Sequence, residues 1–537
     1  MEQAAGLVYQ LFQHEMFPWT FSVLALFPFL LLVLHYLATN LTTPTTCKET
    51  RNHHPPAPSP PRLPIIGHLH LIGDLLHVSL RELAHRYGPD LMLLHLGQVP
   101  NLIVSSPRAA EAVLRTHDLV FASRPYSLIA DILLYGPSNV GLSPYGEQWR
   151  QSRRIVTTHL LSNKKVRSYR VAREEEVHKV MAKVHELSTK GMAVDMTELF
   201  STFSNDLICR LVSGKNFQGD EGRNKLFRQL FKANSVLLAG FNLEDYYPGL
   251  ARLKAVSRVM CAKAWNTRKL WDELLDEIID ERLSKQKYEH DRGNGDQDEK
   301  NFVNVLLLQE RGITREHLKA ILVDMFQAGT ETSSVVLVFA MAELMKKLHL
   351  MAKLQAELRT NISKQGQELL TEFDLTNMTY LKAVIKETLR LHPPTPLLLP
   401  HLAMADCDID GYTVRSGTRV IVNAWAIGRN SESWEAAEEF LPERFVDGGS
   451  AANVDFTGTD FQFLPFGAGR RICPGINFAS ASMEIILANL LYHFDWDVPA
   501  EADIDKDGID MAESFGLSVQ LEEKLLLVPV EYKDSMH

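Results

Sequence analysis

The sequence lacks several features that mark common classes of protein. It has five cysteines in 537 residues, scattered and without a CxxC pair, so neither a disulfide framework nor a zinc-cysteine site is indicated. It has no long basic block and a formal net charge of -10, which argues against nucleic acid as a partner. It also lacks a GxGxxG fingerprint, so no flavin or nicotinamide site of its own is expected.

Charge is missing from one long run near the N-terminus. Residues 16–38, MFPWTFSVLALFPFLLLVLHYLA, contain no acidic or basic side chain except the weakly basic His35, and about 20 helical residues cross a bilayer core. Acidic residues precede the run and basic residues follow it, which places the rest of the chain in the cytosol. The run is too long for a signal-peptide core. We predict an uncleaved, lipid-embedded anchor within residues 1–40, with a cleaved signal as the alternative.

The rest of the chain divides into a short hinge and one large domain. The proline-rich HHPPAPSPPRLPIIGHLH cannot propagate a helix and favours an extended backbone, so residues 41–66 are interpreted as a hinge. Residues 67–537 are apolar enough to form a single large globular body.

Secondary-structure signals in this domain are mainly helical. Short strands are indicated at 91–97, 101–106 and within 411–425, whereas 146–350 has helical periodicity. The charged, Gly-containing stretch 285–301 is predicted to be an exposed loop.

A long apolar segment lies in the middle of the chain. REHLKAILVDMFQAGTETSSVVLVFAMAELMKKL, from Arg315, is apolar on nearly every face, which predicts a helix buried through the domain centre. Small residues around Ala328 and Gly329 would let a flat group approach the backbone, and Thr332 would bond back to the Ala328 carbonyl. Glu331 beside Thr332 suits a proton relay. Plain packing is the alternative interpretation.

The stretch FLPFGAGRRICPG, residues 463–475, sets one thiol among three glycines and two arginines. Gly467 and Gly469 permit the loop to turn its N–H groups toward Cys473, and the dipole of the apolar helix that follows favours a thiolate. With no second cysteine or histidine nearby, a lone thiolate indicates one axial bond to a metal with other ligands elsewhere, as in haem. A structural thiol is the alternative.

With these motifs the chain resembles the cytochrome P-450 family of haem-thiolate monooxygenases, and the resemblance covers essentially its whole length. The residues that fit the haem-binding signature FxxGxRxCxG are Phe466, Gly469, Arg471, Cys473 and Gly475. The resemblance implies a mainly α fold with small β-sheets, in which one haem domain follows an N-terminal transmembrane anchor. It also implies haem b (iron protoporphyrin IX), with Cys473 as axial iron ligand and with Glu331 and Thr332 as the acid and alcohol that deliver protons during oxygen activation.

The same resemblance assigns contacts to the haem propionates. Trp149 and Arg153 in QWRQSRR fit the WxxxR motif and offer an indole N–H and a guanidinium one helical turn apart. Arg471 adds a charge beside the thiol. His401 falls where relatives use His or Arg for this purpose, and a plain core or surface role is equally compatible with it.

A third motif is structural. Glu387 and Arg390 in ETLR fit the ExxR motif, and Arg444 in PERF supplies the second arginine of that buried network. A carboxylate between two guanidiniums can be well satisfied, so we expect these residues to support the fold rather than the chemistry.

Substrate and partners follow from the likeness to plant A-type enzymes, above all the grass enzymes that hydroxylate indole, indolin-2-one and benzoxazinone in benzoxazinoid biosynthesis. We expect hydroxylation of a small hydrophobic metabolite by O2, with electrons from an NADPH-dependent reductase at the endoplasmic reticulum membrane. A terpenoid hydroxylase, a haem-thiolate isomerase or dehydratase, and a haem sensor are the alternatives. The residues that the resemblance implies as an apolar pocket lining are Phe326, Ala328, Leu397, Leu398, Leu399 and Phe515.

Overall fold

A computed structural model describes residues 54–214, 221–240, 242–251, 258, 261–290, 301–308, 313–362, 368–499 and 508–533. The predicted anchor and residues 1–40 lie outside this part of the chain. The chain divides into two units, Met1–His54 and Pro55–His537, and the second unit contains everything described below.

Helices make up most of the second unit, as the periodicity predicted. They are α1 (Leu76–Tyr87), α2 (Pro107–Glu111), α3 (Leu128–Leu133), α4 (Glu147–Ile155), α5 (Asn163–Ser168), α6 (Arg170–Thr189), α7 (Met196–Ser213), α8 (Glu221–Ala239), α9 (Leu243–Tyr246), α10 (Pro248–Ala251), α11 (Ala262–His290), α12 (Phe302–Leu308), α13 (Arg315–Lys346), α14 (Leu348–Asn361), α15 (Thr379–Leu391), α16 (Ala424–Ile427) and α17 (Ile476–His493). Helix α11 continues through the first part of the predicted loop 285–301, so that loop begins later than the sequence indicated.

The strands form small sheets at the periphery of the helices. They are β1 (Leu91–Leu96), β2 (Val99–Val104), β3 (Val194–Asp195), β4 (His401–Leu402), β5 (Cys407–Ile409), β6 (Tyr412–Val414), β7 (Arg419–Val422), β8 (Phe494–Asp497), β9 (Glu513–Ser514), β10 (Gln520–Leu521) and β11 (Leu526–Glu531). One sheet has the order β1-β2-β7-β4, and another has the order β3-β11-β8. Strand β2 pairs with β7 in parallel, with Asn101 opposite Arg419. The strands predicted near 91–106 and within 411–425 are confirmed.

The part of the proline-rich segment that the structure describes, from residue 54 onward, is hydrogen-bonded to the domain. The Pro55 carbonyl accepts a hydrogen bond from the Thr413 N–H (2.9 Å), and the Pro58 carbonyl accepts one from Leu93 (2.8 Å). The C-terminal part of the predicted hinge is therefore bound to strands β1 and β6 of two separate sheets, because extended proline-rich backbone keeps its carbonyls free to accept hydrogen bonds.

Helix α13 is the central helix. It begins after Thr314, whose hydroxyl caps the His317 N–H (3.2 Å), and most of its residues are buried, as predicted. Within the described residues it is the one helix long and apolar enough to cross a membrane, but most of that stretch is buried inside the protein. Its acidic residues and its burial mark it as a core helix.

The small residues of α13 have different neighbours from those expected. A Cβ on Gly329 would come within 2.5 Å of the Ile208 side chain, so Gly329 allows close packing of α13 on α7. Ala328, in contrast, is exposed although the residues before it in the helix are buried. Open space beside the helix therefore lies at Ala328, whereas Gly329 serves close packing of the two helices.

Candidate active site

The loop before α17 holds Cys473 through backbone contacts. Gly467 and Gly469 both have positive φ, 67° and 65°, and a Cβ on Gly469 would overlap the Leu114 carbonyl oxygen. The Cys473 N–H donates to the Phe466 carbonyl (2.9 Å). The predicted requirement for glycine in this loop is confirmed, since other residues rarely adopt positive φ.

Cys473 differs from the other described cysteines in its accessibility. Cys209, Cys261 and Cys407 are buried, whereas Cys473 keeps an accessible surface deep within the protein. The Gly475 N–H donates to the sulfur of Cys473 (3.3 Å). The donor is therefore a glycine after the cysteine, and not the loop around Gly467 and Gly469 that was expected to supply it. A thiol that is both deep and accessible is placed to bind a partner atom that enters the protein.

Burial works against the thiolate that the sequence indicated. It raises the pKa of Cys473, although the Gly475 N–H and the charge of Arg153 act in the opposite direction. The protein alone therefore does not prepare a thiolate, because desolvation disfavours the charged form more than these contacts favour it. A cation bonded to the sulfur would reverse this balance.

Cationic side chains surround the thiol loop. Arg471 donates to the carbonyls of Ala122 (2.7 Å) and Ser143 (2.8 Å), and its guanidinium lies 4.1 Å from the centre of the Trp149 ring. Arg153 donates to the Ile472 carbonyl, the residue before the cysteine (2.5 Å).

Two further groups complete this cationic cluster, which we define as Arg124, Arg153, Arg471 and His401. Arg124 donates to the carbonyls of Leu399 (2.6 Å) and Pro400 (3.0 Å). The His401 ring donates from Nδ1 to the Phe121 carbonyl (2.7 Å) and is buried. The structure thus brings the predicted Arg153, Arg471 and His401 together.

The cationic cluster has no acid to balance it among the residues that the structure describes. None of its arginines forms a salt bridge with a carboxylate in the described part of the chain. Burial and the charge of Arg153 lower the pKa of Arg471 to about 9. Burial, Arg471 and Arg153 lower the pKa of Arg124 well below its usual range, and burial and Arg124 lower the pKa of His401 in the same way.

These residues fit a haem group. Buried cations that repel one another and lack an acid require an anionic ligand, and the two propionates of haem are such anions. No cluster of three or more His, Cys, Asp or Glu side chains that could hold a metal ion occurs among the residues that the structure covers, so a metal at Cys473 must bring its other ligands. Trp149 donates its indole N–H to the Val140 carbonyl (3.1 Å) and supports Arg471 through its ring.

The predicted relay residues lie on α13. Thr332 donates to the Ala328 carbonyl (2.8 Å), as the spacing predicted. Glu331 accepts hydrogen bonds from Ser235 (3.3 Å) and Gln520. Burial raises the pKa of Glu331, while these two hydrogen bonds lower it.

The structural network is formed as predicted. Glu387 accepts two hydrogen bonds of 2.8 Å from Arg390 and one of 3.1 Å from Arg444. Both arginines also donate to several backbone carbonyls, and all three side chains are buried. A buried ion pair with all its hydrogen bonds satisfied is a stable arrangement.

The six residues expected to line a substrate pocket occupy different environments. Leu398 lies near Gly467 and Leu399 near Gly141, which places both beside the thiol loop or the cationic cluster. Leu397 is partly buried against the core beneath the four-stranded sheet.

Of the three remaining pocket residues, one is buried and two are exposed. The Phe326 ring is completely buried, with its centre 4.7 Å from that of Phe227, so Phe326 faces the core rather than open space. Ala328 and Phe515 are exposed, and Phe515 lies between β9 and β10.

Sequence reasoning missed three residues at the site. Arg124 is a single arginine before a proline in FASRP, and no periodic pattern marks it. Asp324 is buried in α13 and accepts hydrogen bonds from the Val140 and Gly141 N–H groups; burial raises its pKa to about 7. Gln520 lies at the far end of the chain, and only its contact with Glu331 shows that it belongs to the site.

Comparison with known proteins gives a consistent result. Residues 56–520 match the family model described as Cytochrome P450. The chain is 51% identical to an indole-2-monooxygenase of Zea mays, over 98% of this chain and 99% of that protein. It is 50% identical to an indolin-2-one monooxygenase of the same plant, over 91% of each. A solved zebrafish cytochrome P450 structure with abiraterone superposes with a TM-score of 0.69 at 25% identity, over 86% of this chain and 100% of that one.

Proposed function

This chain belongs to the cytochrome P450 family and is a haem-dependent monooxygenase, and we propose that it hydroxylates an indole-derived precursor of benzoxazinoids. The identities of 51% and 50% to the two Zea mays enzymes support this substrate class.

The observation that carries the proposal is the environment of Cys473. The one accessible thiol among the described cysteines lies beside a cationic cluster that lacks an acid. This combination suits a thiolate ligand to iron together with anionic propionates. Arg471, Arg153, Arg124 and His401 would then hold the propionates, with Trp149 supporting Arg471.

When bound, haem supplies the activation of dioxygen and the transfer of one oxygen atom to the substrate. The protein supplies the remaining functions. Glu331 holds a proton as the acid of the relay. The Thr332 hydroxyl, at Oγ1, is the last protein atom that the proton passes. The intact acid and alcohol favour a monooxygenase over an isomerase or dehydratase, which needs no proton delivery to oxygen.

Substrate binding falls to the apolar surface beside the thiol loop. Ala328, Leu398 and Leu399 lie at or near this surface, and a flat aromatic compound fits a lining of small and aliphatic side chains. Incubation of the protein with reductase, NADPH and a panel of indoles and terpenoids, with products identified by mass, tests this assignment. A product heavier by one oxygen atom is expected from an indole-series compound.

Electrons and location complete the proposal. An NADPH-dependent reductase is the expected donor, since the sequence has no nucleotide fingerprint of its own. The apolar run at 16–38 would anchor the chain in the endoplasmic reticulum membrane with residues 67–537 in the cytosol. A common membrane surface would keep the two proteins close together.

The direct test of the haem site uses Cys473→Ala. Carbon monoxide added to the reduced wild-type protein should give the long-wavelength Soret band of thiolate-ligated haem, and the variant should lose this band. Cys407→Ala is the matched control, since it removes a buried thiol from strand β5 and should keep the band. An unchanged spectrum in Cys473→Ala would exclude Cys473 as the iron ligand.

A further inference from the structure

Glu331 borders a cavity on its own side of α13. The cavity has a volume of about 100 Å³ and lies between α7, α8, α13 and the hairpin formed by β9 and β10. Its polar lining includes Thr197, Ser201, Ser334 and Gln520. Because a cavity of this size with several polar partners can hold a few water molecules, the relay acid borders a site suited to water.

Two hydrogen bonds direct Glu331 into this cavity. Gln327 donates to Ser235 Oγ (2.9 Å), so the serine hydroxyl keeps its own proton to donate to Glu331 Oε2 (3.3 Å). Gln520 donates to the other carboxylate oxygen, Oε1. Each oxygen of Glu331 thus accepts one hydrogen bond from a neutral donor, and this arrangement fixes the orientation of the carboxylate.

Gln520 belongs to a hairpin that is anchored elsewhere. In this hairpin Leu521 pairs with Glu513, and Gln520 pairs with Ser514. Glu513 accepts a hydrogen bond from His77 (2.9 Å) and lies 3.8 Å from His392. Although burial raises the pKa of Glu513, these histidines lower it to about 2. The base of the hairpin is therefore held by the hydrogen bond from His77 to Glu513, and Gln520 is presented to Glu331 from a fixed position.

We propose that Gln520 is a positioning residue that holds Glu331 at this cavity, where water supplies the proton that converts the carboxylate to the acid. The inference rests on the proposed relay role of Glu331. In this scheme a proton from solvent is passed by the cavity water to the Glu331 carboxylate, which restores the water. Glu331 then gives a proton to the Thr332 hydroxyl as that hydroxyl gives up its own, with no change of oxidation state. The partly buried lining residues Thr197, Ser201 and Leu521 leave the cavity within reach of solvent.

The titration of Glu331 is the quantity that Gln520 should control. Among the described residues that line the cavity, Glu331 is the one with a titratable side chain, and Ser235 and Gln520 are the groups that oppose the effect of its burial. Removal of a hydrogen bond to the charged form raises the pKa of a carboxyl group. Loss of Gln520 should therefore shift the titration of Glu331 to higher pH.

The experiment compares haem-loaded Gln520→Leu with wild type and with Glu522→Gln. Glu522 is exposed on the same hairpin, so its replacement controls for changes in hairpin charge. The infrared absorbance of the protonated Glu331 carboxyl, taken as the difference from Glu331→Gln, is followed as a function of pH. We expect a shift of about one pH unit upward in Gln520→Leu, a tenfold change in acid dissociation, and none in Glu522→Gln.

A second variant separates a local effect from a folding defect. Ser235→Ala removes the other donor from α8 without touching the hairpin, and it should shift the titration in the same direction. Haem content is checked first by the carbon monoxide spectrum. A titration in both Gln520→Leu and Ser235→Ala that matches wild type would overturn the positioning role.

The amount of product formed per NADPH consumed distinguishes failure of the Glu331 relay from failure of the positioning role of Gln520. If Glu331→Gln leaves the product formed per NADPH unchanged, the proposed relay fails. If Glu331→Gln lowers this ratio while Gln520→Leu keeps both the wild-type titration and the wild-type pH profile of the ratio, the relay stands and the role of Gln520 is wrong.

Discussion

Two groups of buried arginines in the same domain differ in what balances their charge. Arg390 and Arg444 share Glu387, which accepts hydrogen bonds from both. The cationic cluster of Arg124, Arg153, Arg471 and His401 has carbonyl partners but no carboxylate within the described residues. The chain itself supplies an acid to one group, and among the described residues it supplies none to the other.

The difference shows which group serves the fold and which serves a ligand. A buried charge without a counter-charge destabilises a protein by several kcal/mol unless something pairs with it. The network around Glu387 is complete without a ligand, so its role is structural. In the cationic cluster, burial and mutual repulsion lower the pKa values of Arg471 and Arg124, and we propose that the haem propionates are the anions that relieve this repulsion.

The largest effect is expected where the chain supplies its own acid. Glu387→Ala leaves Arg390 and Arg444 buried without a partner and should lower the free energy of unfolding by about 3–5 kcal/mol. Little haem-loaded protein should result. Urea unfolding and the yield of haem-loaded protein measure this, with the exposed Glu432→Ala as control. Wild-type yield and stability in Glu387→Ala would contradict a structural role.

In the cationic cluster, removal of a charged side chain is expected to have a smaller effect on stability, and of the opposite sign. Arg153→Gln removes a charge that repels Arg471 and Arg124, so the haem-free protein should be as stable as wild type or more stable. The loaded protein should release haem roughly 10- to 150-fold faster, since a hydrogen bond to a charged group contributes about 1.5–3 kcal/mol. Transfer of haem to an acceptor haem protein measures this rate.

The matched control for Arg153 lies on the same helix. Arg150 is exposed on α4 and pairs with Glu147 (2.6 Å), so Arg150→Gln should leave haem release unchanged. If haem-free Arg153→Gln lost stability while haem release stayed unchanged, Arg153 would serve the fold rather than the ligand, which contradicts the distinction between the two groups.

The smallest effect is a pH dependence in the haem-free protein. The pKa of His401 is lowered from 6.5, first by burial and then by Arg124, so below pH 6.5 the unfolded chain binds a proton that the folded chain resists. Stability should therefore be complete above pH 6.5 and decrease as pH falls, by up to about 1.4 kcal/mol per pH unit. Urea unfolding of wild type and His401→Gln at several pH values measures this slope. The variant should be less sensitive, whereas the exposed His349→Gln should behave as wild type.

Some features of the site could be predicted because they depend on spacing along a single element. The Thr332 bond to Ala328 follows from a four-residue separation on a helix, and the pairing of Glu387 with Arg390 follows from a three-residue separation. The positive φ of Gly467 and Gly469 is a conformation that their residue type permits. Local geometry was sufficient in each case.

Other features could not be predicted because they depend on neighbours from distant parts of the chain. Of the two neighbouring small residues in α13, Gly329 packs against Ile208 of α7 whereas Ala328 is exposed. Cys473 was expected to be a prepared thiolate, but surrounding atoms remove water from it and raise its pKa. Phe326 was expected at a pocket wall, but Phe227 encloses it.

The sequence by itself determined the family, the thiol proposed as the haem iron ligand, the central helix and the buried network around Glu387, because short motifs and helical spacing carry these. Only the tertiary structure decided that Arg124 joins the cationic cluster, that Gln520 holds Glu331, and that no acid in the described residues balances Arg471. The physical reason is that burial and charge balance are sums over all neighbours in space. Those neighbours come from segments hundreds of residues apart, and no local pattern in the sequence records them.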